Sequence, residues 1–317
     1  MMSKIRKVII SSGREVGGLS SFSENLASGF RLMGLDAEII APSAMIYSLR
    51  DLADPTVLKI LSTTAVFFAP LCRNSISVAH GFPRSDSQGW FKVIAILVSL
   101  KMAIRFSKLV TVSKYVEVHL KSIFNIKPLE VIKNPLGLDF FGPLQTSPDS
   151  IERKYITYVG RLHHSKNIHK LLPIMIDFIR NKPNYEILIV GDGPSKKSLM
   201  DLSKSQDRIS FAGLKSHFEI INILNKSKAF ISGCETEAFG IVYLEAISQG
   251  CPVIMPRCGG GLEILDFMNP MVSTFDLSFE RQSVLDAITN ATDSHKNHVN
   301  LQTYHPLYVA KSYLNLI

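Results

Sequence analysis

The sequence predicts an α/β protein built from two Rossmann-like domains, each with a mainly parallel sheet. The chain has 317 residues, and domains of about 100–200 residues make a division into two the natural one. Short apolar runs with strand character alternate with runs of helical period, an order that places parallel strands side by side through right-handed crossovers. The alternation stops in a segment rich in Gly, Pro and Ser, residues 137–150, and then starts again.

The first block opens with a strand-loop-helix-strand unit. We predict strands over Lys7–Ser12 and Ala37–Ala41, joined by a glycine-containing loop and a helix. The pattern Ser21-x-x-Glu24 has the form of a capping box at the start of that helix. The other elements predicted in this block are strands at Thr64–Phe68, Ser77–Ala79, Leu109–Val112 and Leu129–Ile132, and a helix at Tyr115–Phe124.

The segment 137–150 is interpreted as a linker. It divides the chain into a first domain over 1–145 and a second over 146–317, whose last helix is a candidate to cross back to the first domain. The elements predicted after the linker are strands at Tyr155–Val159, Tyr185–Val190, Ile209–Phe211, Ala229–Ser232 and Pro252–Met255, and helices at Asn167–Arg180, Lys196–Lys204, His217–Lys226 and Ile241–Gln249.

Cysteine usage and the distribution of apolar residues exclude several classes of protein. The four cysteines form no Cys-x-x-Cys pair, so a zinc or thioredoxin-type site is not indicated. Two of them, Cys234 and Cys258, flank the main motif and are expected to serve packing. The N-terminal apolar run is too short for a signal peptide, and the longest apolar stretch, Val93–Leu100, is far below the ~20 residues of a membrane span. We therefore expect a cytoplasmic protein.

The formal charge of +8 is unevenly distributed. Residues 1–150 hold 17 Lys/Arg against 11 Asp/Glu, or +6, and the remainder holds 18 against 16, or +2. A basic first half suits either anionic lipid or a phosphorylated substrate, and equally a solvated surface. No basic run is interleaved with aromatic residues, so we expect no nucleic-acid partner. The apolar stretch Trp90–Val110 carries Lys101, Arg105 and Lys108 on one helical face. It suits an interfacial helix on an anionic membrane or a core helix, and apolar residues on nearly all sides favour the core.

The strongest motif contains two glutamates separated by seven residues. Glu237 follows the predicted strand Ala229–Ser232, and Glu245 lies about one turn into the next helix. Ligands of open α/β sheets bind at the carboxyl ends of strands, where this loop lies. A carboxylate can accept hydrogen bonds from both hydroxyls of a vicinal diol, so both residues suit sugar hydroxyls. Taken alone, the pair also fits two ordinary surface glutamates.

A second motif, Gly160-Arg161-Leu-His-His-Ser-Lys166, follows the first strand of the second block. Arg161 and Lys166 place two cations beside the start of a helix, a combination that suits a diphosphate. A solvated basic loop is the alternative. The glycines of Val190-Gly191-Asp-Gly193-Pro and Phe211-Ala-Gly213 permit tight turns, which is a complete explanation of both segments.

Together these segments resemble the retaining GT-B glycosyltransferases of family 4. The resemblance rests on Glu237-x-Phe239-Gly240, Leu-Glu245-Ala, Gly-x-Pro-Val-Ile, Gly259-Gly260 and the Arg161…Lys166 segment, and it is strong over residues 155–265. It implies the GT-B fold, in which two Rossmann-like domains face a central cleft. It also implies that Glu237 contacts the donor sugar, that Glu245 holds the ribose, and that Arg161 and Lys166 stabilise the leaving diphosphate.

The resemblance assigns further residues to the donor. The amides near Phe239, Gly240 and Ile241 would face phosphate, and the loop at Gly213 and Leu214 would lie near the base. In the first domain Gly17 and Gly18 would approach the donor phosphates, and His80 would lie near the reacting carbon. The segment Val131-Ile-Lys-Asn134-Pro135 departs from the family pattern, because a proline replaces the usual glycine.

The expected activity is therefore transfer of a sugar, with retention of configuration, from a UDP- or GDP-sugar to a carbohydrate or lipid-linked acceptor. The absence of Asp-x-Asp predicts that no metal or other cofactor is required. Surface polysaccharide or lipopolysaccharide biosynthesis, with peripheral contact at the inner face of the plasma membrane, is the expected setting. A nucleotide-sugar epimerase of the same fold and a non-catalytic nucleotide-sugar-binding subunit are the alternatives. No Gly-x-Gly-x-x-Gly follows the first strand, which argues against a dehydrogenase.

Overall fold

The computed structural model describes residues 5–12, 18–83, 90–142, 153–268, 271–293 and 299–317. The contacts divide the chain into two compact units. The first unit holds residues 1–138 together with Leu301–Ile317, and the second holds Asp139–Asn300. Each unit contains one six-stranded sheet, and all the strand pairings are parallel.

The elements of the first unit are β1 (Lys7–Ser11), α1 (Gly18–Leu32), β2 (Asp36–Ile40), α2 (Leu49–Ala53), β3 (Val57–Ser62), β4 (Ser75–Ala79), α3 (Trp90–Phe106), β5 (Lys108–Thr111), α4 (Lys114–Phe124), β6 (Glu130–Val131) and α11 (Pro306–Asn315). The sheet of this unit has the order β2-β1-β3-β4-β5-β6. Its central strands β3 and β4 are buried along their whole length, as expected of a parallel sheet covered on both faces. The last helix of the chain, α11, packs against α1.

Two local predictions for this unit are wrong. Helix α1 begins at Gly18, so Ser21 lies inside the helix and caps nothing. The predicted strand Thr64–Phe68 belongs to a 3-10 segment, Thr63–Leu71, and the strand precedes it as β3. Lys59 made strand β3 hard to predict from the sequence, because a lysine interrupts its run of apolar residues. Its ammonium group is buried and donates to the carbonyls of Asp54 at 2.7 Å and Arg73 at 2.6 Å, which compensates the burial of the charge.

The core placement that the sequence favoured for Trp90–Val110 is also wrong. Helix α3 ends at Phe106, and Lys108 begins β5. Among the described side chains of the helix only Leu100 and Ala103 are buried. The reason is that α3 packs mainly along the Thr63–Leu71 segment, with fewer contacts to β4 and β5, and leaves the rest of its surface exposed. No helix within the described ranges combines the length and apolar character that a bilayer span requires.

The elements of the second unit are β7 (Tyr155–Val159), α5 (Ile168–Arg180), β8 (Glu186–Val190), α6 (Lys196–Leu202), β9 (Ile209–Gly213), α7 (His217–Asn225), β10 (Ser227–Ile231), α8 (Ile241–Ser248), β11 (Val253–Pro256), α9 (Leu262–Met268), β12 (Val272–Phe275) and α10 (Arg281–Asp293). The sheet of this unit has the order β12-β11-β10-β7-β8-β9. The core of the unit is formed by the apolar faces of α5 and α10 against the sheet. Strand β12 and the helices on either side of it, α9 and α10, were not predicted from the sequence.

Candidate functional site

The polar side chains of the second unit converge where its strand order reverses. Strand β7 is the first strand of the sheet in the chain, with β8 on one side and β10 on the other. The chain builds outward through β8 and β9, then returns to place β10 next to β7. Ligands of open parallel sheets bind in the crevice outside the carboxyl ends at such a reversal. The loops that leave β7 and β10 carry Lys166 and Glu237.

An ion pair joins these two loops. The Lys166 ammonium lies 3.1 Å from a carboxylate oxygen of Glu237 and 3.2 Å from the Cys234 sulfur. Burial alone would lower the pKa of Lys166, but the Glu237 carboxylate and the Cys234 sulfur outweigh it and raise that pKa. Burial alone would raise the pKa of Glu237, and Lys166 with the backbone amide of Phe239 lowers it instead. Both groups are therefore charged at neutral pH, and both side chains remain partly accessible, at 34% and 24%.

A clasp, formed by Asn167, Gly233 and Glu235, holds the same two loops together. The Asn167 amide donates to the Gly233 carbonyl at 3.0 Å and to the Glu235 carboxylate at 2.8 Å. A Cβ on Gly233 would lie 2.8 Å from the Lys166 carbonyl oxygen, so only glycine permits this approach. Asn167 itself has a left-handed backbone (φ 53°) immediately before α5. The position of Lys166 is thus fixed through its neighbour in the chain.

The loop Cys258–Gly261 supports the Glu237 loop through the backbone. The Gly260 amide donates to the Glu237 carbonyl at 2.7 Å, and the Cys258 thiol donates to the Glu235 carbonyl at 2.8 Å. A Cβ on Gly260 would lie 2.1 Å from the Ala238 carbonyl oxygen. The packing role predicted for Cys234 and Cys258 is therefore incomplete, because both sulfurs also take part in polar contacts that shape the site.

Glu245 is a buried carboxylate without a described partner. It lies on α8 and is 6% exposed. Among the described residues no group donates a hydrogen bond to its side chain. Burial raises the pKa of Glu245 to about 7. An isolated buried carboxylate is costly, and groups with strongly perturbed pKa values are concentrated at functional sites.

The remaining residues predicted for this site occupy several environments. The Phe239 ring is buried, so any contact with a ligand is left to its backbone. Gly240 precedes α8 with φ +84°, and a Cβ there would meet the Tyr243 ring at 2.4 Å. This internal constraint accounts for the glycine without a ligand. Ile241 is the first residue of α8 and is half-buried.

Three further predicted residues lie at the same edge of the sheet. Arg161 is exposed after the end of β7, and its carbonyl accepts a hydrogen bond from the Tyr158 hydroxyl at 2.9 Å. Gly213 ends β9 with φ +70°, and Leu214 after it is exposed. The Gly191 amide donates to the Gly213 carbonyl at 2.7 Å, which ties this turn to the end of β8.

Three of the residues predicted to contact the donor, Gly17, Gly18 and His80, belong to the first unit. Gly17 lies outside the described residues, and Gly18 is the first residue of α1. His80 follows β4, with its Nε2 3.1 Å from the Ser62 hydroxyl and the Phe22 ring edge-on at 4.5 Å. Burial lowers the pKa of His80 to about 4, so its imidazole is neutral at physiological pH and can act only as a polar contact.

The sequence does not single out the clasp. In the sequence, Asn167 is only the residue that follows the Arg161…Lys166 motif. No pattern of residues predicts a contact for Gly233 or Glu235. The available signal is an asparagine immediately before a helix, since Asn tolerates the left-handed backbone better than other residues with a Cβ. Its partners cannot be read from the sequence, because the contacts join residues more than sixty positions apart.

Comparison with known proteins shows where this site belongs. Residues 146–266, which include both glutamates and both cations, match the family model of glycosyl transferases group 1. These residues are thus the part of the chain that is similar to a group 1 glycosyltransferase domain. Within the described residues no cluster of three or more His, Cys, Asp or Glu side chains is arranged to hold a metal ion.

Solved structures similar to the whole chain confirm the predicted GT-B fold. The crystal structure of Anabaena HepE in complex with UDP-glucose matches with a TM-score of 0.70 at 14% identity, covering 98% of this chain and 98% of that one. The crystal structure of WaaG, a glycosyltransferase involved in lipopolysaccharide biosynthesis, matches with a TM-score of 0.70 at 13% identity, covering 98% of this chain and 95% of that one.

A curated relative extends the match beyond the group 1 domain. The gpi3 subunit of the phosphatidylinositol N-acetylglucosaminyltransferase of Schizosaccharomyces pombe is 27% identical over 192 residues, which is 59% of this chain and 41% of that protein. The chain thus spans less than half the length of this relative.

Proposed function

We propose that this protein is a retaining glycosyltransferase of family 4 that transfers a sugar from a UDP- or GDP-sugar to an acceptor hydroxyl. The observation that carries the proposal is the placement of the Lys166–Glu237 ion pair at a strand reversal, within the residues that match group 1. The same residues include the buried Glu245 carboxylate, to which no described residue donates a hydrogen bond. A cation, an oriented carboxylate and a buried acceptor of hydrogen bonds are the groups that a diphosphate, a sugar and a ribose require.

Each group has a separate task in this proposal. Lys166 and Arg161, with the backbone amides at the start of α8, stabilise the negative charge that develops on the diphosphate as the bond from the anomeric carbon breaks. Glu237 orients the donor sugar, and Glu245 accepts hydrogen bonds from the ribose. The resemblance assigns a contact with the sugar to His80, which is a neutral imidazole, and a contact with the phosphates to Gly18. The loop at Gly213 and Leu214 contacts the base.

We propose a carbohydrate or lipid-linked acceptor and a role in cell-surface polysaccharide or lipopolysaccharide biosynthesis, at the cytoplasmic face of the plasma membrane. Two comparisons support this part. The Schizosaccharomyces pombe relative is named for a phosphatidylinositol, and the WaaG structure for lipopolysaccharide biosynthesis. Protein that stays wholly in the soluble fraction of its own cells would argue against the membrane part alone.

A thermal-shift screen of the full chain with nucleotides and nucleotide sugars tests the donor. We expect UDP or GDP at about 100 times its Kd to stabilise the domain by about 2.7 kcal/mol, a rise in Tm of several degrees. Glu245→Ala is expected to lose this shift. No shift with any nucleotide would contradict the proposal.

Product analysis then separates the alternatives. Release of the nucleotide that depends on an added acceptor is the expected result. Conversion of the nucleotide sugar alone into its isomer would indicate an epimerase, and binding without turnover would indicate a non-catalytic subunit.

The clasp gives a prediction for turnover. Asn167→Gly keeps a residue suited to the left-handed backbone but removes the amide that donates to Gly233 and Glu235. We expect kcat for the nucleotide sugar to fall about 10-fold to 100-fold, because the loop carrying Lys166 is no longer held in register with Glu237. Donor affinity should change less.

The matched control is Asn125→Gly, the same exchange at another left-handed asparagine (φ 51°), in the first unit. It should leave kcat unchanged. Wild-type kcat in Asn167→Gly would show that the clasp does not position the ion pair.

A further inference from the structure

Exposed apolar side chains are concentrated in the first unit. Among the described residues, 23 large hydrophobic side chains are exposed, and 18 of them belong to the first unit against 5 in the second. The two units are of similar length, so size does not explain the difference. Single exposed apolar residues are ordinary, but a contiguous group marks a surface that another body covers.

Three segments that pack in a row carry much of this exposed surface. Helix α3 packs along the 3-10 segment Thr63–Leu71, which in turn packs against the 3-10 segment Pro42–Ser48. We call the exposed face of these segments the docking surface. Its exposed apolar side chains include Tyr47, Phe67, Leu71, Trp90, Phe91 and Ile94. Tyr47 is 90% exposed, Phe91 71% and Trp90 64%.

The charges that these segments carry are all of one sign. Pro42–Ser48, Thr63–Leu71 and Trp90–Phe106 contain three cationic residues and no Asp or Glu. The two that lie one helical turn apart on α3, Lys101 and Arg105, are both exposed. Apolar side chains accompanied only by cations complement an anionic lipid bilayer, whose headgroups attract Lys and Arg while its interface accepts Trp, Tyr and Phe.

We propose that the docking surface binds an anionic lipid bilayer, with Trp90 and Phe91 at the interface and Lys101 and Arg105 facing lipid phosphates. This inference rests on the proposed function and extends it by naming the bilayer as the partner and the residues that contact it. A second copy of this chain fits less well, because a two-fold contact through the docking surface would bring the same cations together with no carboxylate to offset them.

The single tryptophan of the chain makes the test direct. Trp90 is the only Trp in the sequence, so tryptophan emission reports this position alone. With the full chain at low salt, we expect a blue shift on adding vesicles of phosphatidylcholine containing phosphatidylglycerol, and quenching when the lipid is brominated. Vesicles of phosphatidylcholine alone should give neither effect. Emission that anionic vesicles leave unchanged would overturn the proposal.

Charge variants test the cations. Each Lys or Arg near an anionic surface contributes about 1 kcal/mol, so Lys101→Gln with Arg105→Gln should weaken vesicle partitioning about 30-fold. The control is Lys197→Gln with Lys204→Gln, two exposed lysines of the second unit, which should leave partitioning near the wild-type value. Equal losses in both pairs would indicate attraction by net charge and would overturn the assignment to the docking surface.

Two further measurements separate a lipid bilayer from a second copy of the chain, and the docking surface from the donor site. A blue shift that appears on concentrating the protein without lipid would identify a second copy as the occupant and contradict the proposal. Stabilisation by UDP or GDP is measured without vesicles, so its presence or absence judges the donor proposal separately. If UDP or GDP stabilises the protein but anionic vesicles do not bind it, the docking-surface proposal is rejected and the donor proposal is not.

Discussion

Lys166→Met is expected to reduce sugar transfer about 10²- to 10³-fold, an effect typical of removing one preorganised electrostatic contact to a transition state. The Lys166 ammonium is the described cation that reaches across to Glu237 and Cys234, at 3.1 Å and 3.2 Å. Without it, charge that develops on the leaving diphosphate loses a fixed counter-charge, and Glu237 loses the partner that orients it. The loss should appear mainly in kcat, measured as acceptor-dependent release of the nucleotide.

The stability of the same variant should change little. The ion pair is partly accessible to solvent, so we expect the free energy of unfolding to fall by about 1 kcal/mol or less. Met preserves most of the apolar stem. A large kinetic loss with a small stability loss would therefore separate a role in transfer from a role in folding.

Lys170→Met supplies the matched control. Lys170 lies one turn further along the chain and pairs with Glu235 at 3.4 Å, at the exposed edge of the same loops. It should retain most of the wild-type kcat. Equal losses at the two lysines, or wild-type transfer in Lys166→Met, would contradict the assigned role of Lys166.

The ion pair also shows how far sequence reasoning reached. The alternation of strands and helices was sufficient to place Lys166 after β7 and Glu237 after β10. It was not sufficient to show that these strands are neighbours, because the chain inserts β8 and β9 between them. Sheet order depends on which faces pack, and that information is distributed over the whole core rather than carried by one segment.

The errors have local physical causes. Strand β3 was missed because the buried Lys59 breaks its apolar pattern, and the carbonyls that satisfy its ammonium belong to distant loops. Helix α3 was assigned to the core because its composition is apolar on nearly all sides, whereas its exposure depends on how little of the fold covers it. A pattern of residues gives the period of an element, but the elements that cover it are set by the tertiary structure.

Glu245 gives the second large effect, a dependence of donor binding on pH. The ionised carboxylate accepts hydrogen bonds from the two ribose hydroxyls more strongly than the protonated acid does. Burial raises the pKa of Glu245 to about 7. Nucleotide affinity should therefore rise between pH 6 and pH 8 and weaken by up to about tenfold per unit well below the pKa. Glu245→Gln should bind the nucleotide weakly at every pH. Isothermal titration calorimetry with UDP or GDP measures the affinity of the wild-type protein and of the variant. Affinity of the wild-type protein that is constant over this range would contradict the assignment.

The free energy of unfolding without ligand should instead decrease as the pH rises. Because the pKa of Glu245 in the folded state lies above that of an unfolded glutamate, about 4.3, the folded protein binds more protons between the two values. The contribution of the group to stability is then complete below the lower pKa and is lost as the pH rises through about 7. A shift of this size corresponds to at most about 3–4 kcal/mol.

Glu245→Gln should consequently raise Tm at pH 8 more than at pH 5. The control Glu280→Gln, at an exposed glutamate, should raise Tm at neither pH. A variant that is more stable and binds donor less well would show that the buried carboxylate is maintained, at a cost in stability, for its ligand.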